Sequence, residues 1–116
     1  MPYKNPLDLA EAIQAGEQKK WNPQEFKNIG DPFHLGAPWY RFKDGDYSGE
    51  AKVYDFPSEY GINDGRVSKF TLNYKGKPIL NYDRGWDTPD GKFKIDPAHQ
   101  EFYDKILSYL DAYGLD

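Results

Sequence analysis

The clearest periodic pattern lies near the end of the chain, where apolar side chains recur every three or four residues. Asp96 followed by Pro97 is a typical helix start, with a capping side chain and a proline at the first helical position. Gly114 is a typical helix end. The apolar stripe between them consists of Phe102, Ile106, Tyr109, Leu110 and Tyr113. Because an isolated helix of this length is marginally stable in water, the pattern predicts a helix over 96–114 that packs on a sheet.

Alternating aromatic and polar residues predict strands through the middle of the chain. The segments 39–43 and 47–54 alternate on either side of an Asp-Gly-Asp turn, which is typical of a β-hairpin. The segments 66–74 and 79–83 flank a Lys-Gly-Lys-Pro turn and predict a second hairpin. We therefore expect an α+β fold, in which an antiparallel sheet of about four strands is packed by a C-terminal helix.

Local signals in the first third of the chain favour helix over strand. Asn5-Pro6 and Asn22-Pro23 each pair a common N-cap residue with a proline, which is tolerated at the first helical position. Glycine and proline then recur up to Pro38 and predict an irregular connection. A chain of 116 residues fits one core. We expect a single domain, 1–116, with three parts: a helical and irregular N-terminal arm at 1–38, a β meander at 39–95 and the helix at 96–114.

The composition excludes several classes of protein. Apolar residues make up only 38% of the chain, but aromatic residues make up 17%, and their large buried areas allow a small core. The net charge of −4 gives no general attraction to nucleic acids or anionic membranes. The absence of cysteine excludes disulfides and thiolate metal sites. No apolar run approaches the roughly 20 residues that span a bilayer, so we expect a cytoplasmic protein without membrane contact.

No group of residues forms a typical catalytic or metal-binding pattern. The two histidines, His34 and His99, accompany no Gly-x-Ser-x-Gly motif. Asp83, Asp87 and Asp90 lie close together in the chain but fail the pattern of a calcium loop, and their spacing does not indicate a glycosidase pair. We therefore expect no catalytic residue, no metal and no cofactor.

Two segments place glycines, aromatic residues and an arginine beside the ends of predicted strands. They are Ser58–Phe70, with the sequence SEYGINDGRVSKF, and Asn81–Asp87, with the sequence NYDRGWD. Because Trp, Tyr and Arg are favoured interface anchors, the leading hypothesis is a non-enzymatic protein that binds a macromolecule, most plausibly a protein, through the loops 55–65 and 83–91. The candidate contact residues are Tyr60, Asn63, Arg66, Tyr82, Arg84 and Trp86.

Two other functions fit the same residues. In the first, Arg66 and Arg84 converge with the glycine-containing loop 61–65 to bind a small anionic ligand or nucleotide, with or without catalysis. In the second, the hairpin 66–84 binds single-stranded nucleic acid. This hairpin interleaves five basic residues with aromatic ones: Arg66, Lys69, Lys75, Lys77 and Arg84 with Phe70, Tyr74 and Tyr82.

Two of the candidates have equally simple structural interpretations. Trp86 can close the open end of a core between sheet and helix. Arg84 can pair with Asp83, with Asp87 or with a backbone carbonyl. If the Arg84 site is buried, we expect Arg84→Ala to lower stability by about 1–3 kcal/mol.

The segment SEYGINDGRVSKF, followed by YDRGWD and a closing helix, resembles a family of small proteins of uncharacterised function from phages and prophages of Gram-positive bacteria. The resemblance covers roughly residues 39–112, and residues 1–38 match nothing recognisable. It implies a small accessory protein that is made in the bacterial cytoplasm and binds host or defence machinery. No catalytic residue can be carried over from it.

Overall fold

A computed structural model describes residues 21–31 and 37–115, which form an α+β fold. The five described strands form one antiparallel sheet in which their order along the chain is also their order across the sheet. The elements are β1 Glu25–Gly30, β2 Trp39–Asp44, β3 Tyr47–Val53, a 3-10 turn Ile62–Asp64, β4 Val67–Tyr74, β5 Lys77–Asp83 and the helix α1 Pro97–Ala112.

The four predicted strands and the C-terminal helix are confirmed, and the local signals that predicted them are visible in the structure. The carboxylate of Asp96 accepts a hydrogen bond from the Ala98 N–H at 2.9 Å, as expected of an N-cap. Pro97 begins the helix and Gly114, with a φ of 80°, follows its end. The β2–β3 turn is tight, with Gly45 at a φ of 60°.

The prediction of helix after Asn22-Pro23 is wrong, because this segment leads into a fifth strand, β1. Phe26 lies opposite Phe42 in the register, and its ring stacks on Tyr40 with a centroid distance of 5.1 Å. The Gln24 side chain accepts from the Gly45 N–H at 3.1 Å instead of supporting a helix start. These tertiary contacts outweigh the local capping signal. The helix predicted after Asn5-Pro6 lies outside the described residues.

The core lies between one face of the sheet and α1. The fully buried sheet residues include Phe42, Ala51, Phe70 and Leu72, and the fully buried helix residues include Ile106 and Leu110. The predicted helix stripe is confirmed at Ile106 and Leu110, but the sequence pattern missed Tyr103 and Leu107, which are also buried.

Gly49 lets the ring of Phe42 lie flat across the sheet. A Cβ at this position would lie 2.6 Å from the Phe42 ring and would press on the Thr71 carbonyl oxygen of the neighbouring strand. Only glycine therefore fits here.

The other face of the sheet is polar, and no described helix packs on it. Arg41 Nη2 lies 2.8 Å from Glu50 Oε2 across β2 and β3, and the Thr71 hydroxyl donates to Asn81 Oδ1 at 3.1 Å across β4 and β5. This face ends at the loop that joins β3 to β4, where the candidate site lies. Among the described residues, no helix is both long and apolar enough to cross a membrane.

Candidate functional site

The loop between β3 and β4 is folded against the sheet by its own backbone. The Ser58 N–H donates to the Gly65 carbonyl at 3.1 Å, and the Tyr82 hydroxyl donates to the Tyr60 carbonyl at 3.0 Å. Ile62 is buried in the core beneath the loop. A Cβ on Gly61 would collide with the Gly65 carbonyl, so glycine is required at position 61 for this close approach of the backbone within the loop.

The tip of this loop contains two consecutive non-glycine residues with positive φ. Asn63 and Asp64 have φ values of 53° and 60°, and both are exposed. Asn and Asp tolerate this region better than most other side chains.

An open pocket of about 790 Å³ lies between this loop, the adjoining ends of β3 and β4 and the residue after β5. We call it the loop pocket. Its charged lining residues are Lys52 from β3, Lys69 from β4, Arg84 after β5, and Asp55. Three cations and one acid line the pocket in a protein whose net charge is −4. A second acid, Asp83, lies beside Lys69 and Arg84.

The sheet register brings two of these cations side by side. Lys52 and Lys69 are direct partners on β3 and β4, just before a register shift at Val53. Like charges directly opposite each other destabilise a sheet. Lys52 is only 3% exposed, and its Nζ lies 4.9 Å from the centroid of the Tyr54 ring, which provides a cation–π contact. The register therefore brings two cations together at this end of the sheet.

Asp83 contacts the other two cations only loosely. Its Oδ1 lies 3.5 Å from Lys69 Nζ and 3.7 Å from Arg84 Nε, whereas charge-assisted hydrogen bonds are typically about 2.7–2.9 Å long. The Arg84 and Asp83 side chains are 64% and 56% exposed. Such solvated pairs contribute at most about 1 kcal/mol each. The expected loss of about 1–3 kcal/mol for Arg84→Ala applied only to a buried arginine, and Arg84 is not buried.

Exposed aromatic side chains lie beside these cations. Phe56 is 79% exposed and Tyr60 is 55% exposed, and both line the loop pocket. The hydroxyl of Ser68, another lining residue, is buried and has no hydrogen-bond partner among the residues that the structure describes. The pocket thus combines cations with apolar surface.

Arg66 is committed to a structural role at the end of α1. It is only 8% exposed; its Nε donates to the Tyr54 carbonyl at 2.7 Å, and its Nη1 donates to the Asp111 and Tyr113 carbonyls at 2.7 and 3.0 Å. The Asp111 and Tyr113 carbonyls lie at the end of α1, where carbonyl groups lack partners within the helix. Arg66 does not line the loop pocket, so the two arginines are not assembled there as one anion site.

The Asp111 carboxylate completes this junction. Its Oδ1 accepts from the Arg66 N–H at 3.0 Å, and burial raises the pKa of the Asp111 carboxyl despite that hydrogen bond and the nearby guanidinium. Gly65 leaves room for this carboxylate, because a Cβ there would lie 2.8 Å from Asp111 Oδ1.

The structure separates the six predicted contact residues. Tyr60 and Arg84 both line the loop pocket, whereas Asn63, Tyr82 and Trp86 do not. Tyr82 is buried, and Trp86 packs against the Tyr82 and Phe93 rings at centroid distances of 4.9 Å. Trp86 therefore closes the core between sheet and helix.

Phe56 lies in the predicted contact loop 55–65 but is not among the six named contact residues, Lys52 was not predicted at all, and Lys69 was predicted only as part of the nucleic-acid-binding hairpin. No local signal identifies Lys52, because its proximity to Lys69 depends on the register of β3 against β4.

The β4–β5 hairpin does not present its aromatic residues to a ligand. Phe70 and Tyr82 are buried in the core, and Tyr74 packs on Tyr47 and His99 at centroid distances of 4.9 and 4.6 Å. Within residues 21–31 and 37–115, no group of three or more His, Asp or Glu side chains could hold a metal ion.

Residues 38–111 match a family described as a domain of unknown function, DUF7678. Comparison with curated proteins and with solved structures finds no match. The match spans more than half of the chain and includes β2 to β5 and nearly all of α1, together with every lining residue of the loop pocket. The chain therefore belongs to the DUF7678 family.

Proposed function

We propose that this protein acts without catalysis, by binding a macromolecular partner at the loop pocket. The observation that supports the proposal is the meeting of three cations with two exposed rings, Phe56 and Tyr60, around one open concavity. Aromatic residues and arginine are the side chains that contribute most to protein interfaces. Because apolar surface is unfavourable in water, a partner that covers these exposed rings gains binding free energy in proportion to the area it buries.

The resemblance to small phage and prophage proteins suggests where this binding takes place. We propose that the protein is an accessory factor in the cytoplasm of a bacterial host, and that its partner belongs to the host or to its defence machinery. A protein partner agrees best with the net charge of −4, which opposes the approach of nucleic acid from a distance.

Partner capture from lysate, with and without nuclease, tests this proposal. Phe56→Ala and Tyr60→Ala should each weaken capture, because they remove exposed contact area, and Arg84→Ala should do so by removing a cation. Arg41→Ala is the matched control: Arg41 is 58% exposed and paired with an acid, as Arg84 is, but does not line the loop pocket. Thermal unfolding of each variant checks that the fold survives. Unchanged capture by all three pocket variants would refute the proposed function.

A small anionic ligand is the second candidate. The volume of about 790 Å³ lies within the range of small-molecule sites, and Lys52 and Lys69 supply the charge that Arg66 does not. A thermal-shift screen of nucleotides and dicarboxylates examines it. A rise in melting temperature that Arg84→Ala abolishes would favour this candidate, and no rise with any compound would remove it.

A further inference from the structure

We propose that the loop pocket recognises an acidic peptide segment, in which the carboxylate of an aspartate or glutamate lies next to an apolar side chain. This inference rests on the proposed function, because it assumes that the partner is bound at this pocket. It adds the chemistry of the bound segment.

The first step is the seat for a carboxylate. One oxygen of Asp83 already lies between Lys69 Nζ and Arg84 Nε, which indicates that a carboxylate oxygen is accommodated there. Both contacts are long, and no hydrogen bond of the Arg84 terminal nitrogens is found among the described residues. Those two nitrogens can donate in parallel to a second carboxylate, which is the geometry that arginine favours.

The second step is the charge around this seat. Lys69 and Arg84 line the loop pocket together with Lys52, which is the register partner of Lys69. A carboxylate bound at Arg84 therefore lies near further positive charge, and at a partly buried site this attraction is screened less than in open water.

The third step is the apolar neighbour. Phe56 and Tyr60 project exposed rings at the same pocket, so a segment whose carboxylate reaches Arg84 also covers aromatic surface. A short acidic peptide without an apolar residue would leave these rings in water and lose that part of the binding free energy.

The distribution of charge disfavours a nucleic acid as the occupant. A single strand needs a track of cations along its successive phosphates. Here Asp55 lines the pocket, and Arg41 on the open sheet face is neutralised by Glu50 at 2.8 Å. Lys75 and Lys77 lie at the β4–β5 turn, the opposite end of the hairpin from Arg84. The seat therefore suits one or two carboxylates, not a polyanion.

Selection from a phage-displayed library of random short peptides tests the inference on the full-length protein. Peptides enriched on the wild type should contain an acidic residue beside an aromatic or aliphatic one. A selected peptide should then bind Arg84→Ala about tenfold more weakly or worse, as expected for loss of a charge-assisted hydrogen bond. Arg84→Lys, which keeps the charge but loses the paired donors, should fall between them. Arg41→Ala should bind as the wild type does.

The outcomes separate this inference from the function on which it rests. Enriched peptides that lack acidic residues, yet depend on Phe56 or Tyr60, would overturn the inference and leave the function standing. Peptides whose binding ignores every pocket variant would overturn both. Retention of oligothymidylate at low ionic strength, abolished by Arg84→Ala and without any acidic peptide enriched, would overturn the inference in favour of nucleic acid.

A second measurement locates the binding. Titration of a selected peptide into isotope-labelled protein should shift the backbone amides of the loop pocket, including Lys52, Phe56, Tyr60 and Lys69. The peptide with glutamine or asparagine in place of its acidic residue should bind about tenfold more weakly or worse. Equal affinity of the two peptides, or shifts confined to another surface, would contradict the inference.

Discussion

Replacement of Arg66 by alanine should be among the most destabilising single changes in this fold. The guanidinium is only 8% exposed, and it donates to three backbone carbonyls, one at the start of the β3–β4 loop and two at the end of α1. The alanine variant removes all three hydrogen bonds and leaves these carbonyls with one partner fewer. Removing one member of a buried charged network costs about 3–5 kcal/mol.

That cost is large compared with the stability of a domain of this size. The free energy of unfolding of a 116-residue chain is typically about 6–17 kcal/mol, so Arg66→Ala should remove a substantial part of it. The corresponding fall in melting temperature is roughly 10–20 °C. Arg84→Ala should cost less than about 1 kcal/mol, because Arg84 is mostly solvated and its pair with Asp83 is loose.

Denaturant unfolding followed by tryptophan fluorescence measures both variants. Arg66→Lys is a useful intermediate, since an ammonium group keeps the charge but lacks the planar fork that spans the loop and the helix end. If Arg66→Ala lowers the free energy of unfolding by less than about 1 kcal/mol, or if Arg84→Ala lowers it by more than that, the distinction between a structural and a surface arginine is refuted.

Three further predictions follow from the core and the helix end. Gly49→Ala should destabilise the protein by about 1–3 kcal/mol or more in denaturant unfolding, because its Cβ would meet the Phe42 ring and the Thr71 carbonyl. Trp86→Ala should cost about 1–3 kcal/mol in the same assay by removing ring contacts with Tyr82 and Phe93, less than the roughly 3–5 kcal/mol of a fully buried ring, because Trp86 is only partly buried. A cost below about 0.5 kcal/mol would contradict its packing against the core. For Asp111, burial raises the pKa, so the stability present below the unfolded value of 3.8 is lost as pH rises through the folded pKa. Asp111→Asn cannot ionise and therefore does not lose stability in this way. Relative to that of the wild type, its free energy of unfolding should increase as the pH rises from 3.8. A difference that does not change with pH would contradict the prediction.

The sequence was sufficient for those elements whose signals are local. The helix is predictable because Asp96, Pro97 and Gly114 mark its ends, and β2 to β5 are predictable because apolar and polar residues alternate along much of each strand. The strand β1 was not predictable in this way. Its formation is favoured by a tertiary contact, the stacking of the Phe26 ring on Tyr40. The residues just before Phe26 include Asn22-Pro23, which is typical of a helix start.

The candidate site was predictable only in part for a similar reason. Tyr60 and Arg84 belong to segments with an unusual density of glycine and aromatic residues, and both line the loop pocket. The pairing of Lys52 with Lys69 depends on a register that shifts at the next residue. The role of Arg66 depends on carbonyls 45 and 47 positions further along the chain, and no local pattern reports such a distance.

The bridge made by Arg66 has a consequence for the dynamics of the loop pocket. One guanidinium joins the first residue of the loop, Tyr54, to the last turn of α1. Fraying of that turn and release of the loop are therefore expected to occur as one cooperative opening event, with similar rates of amide hydrogen exchange in both segments. A partner that grips the loop would thereby slow exchange at a helix terminus that it never touches.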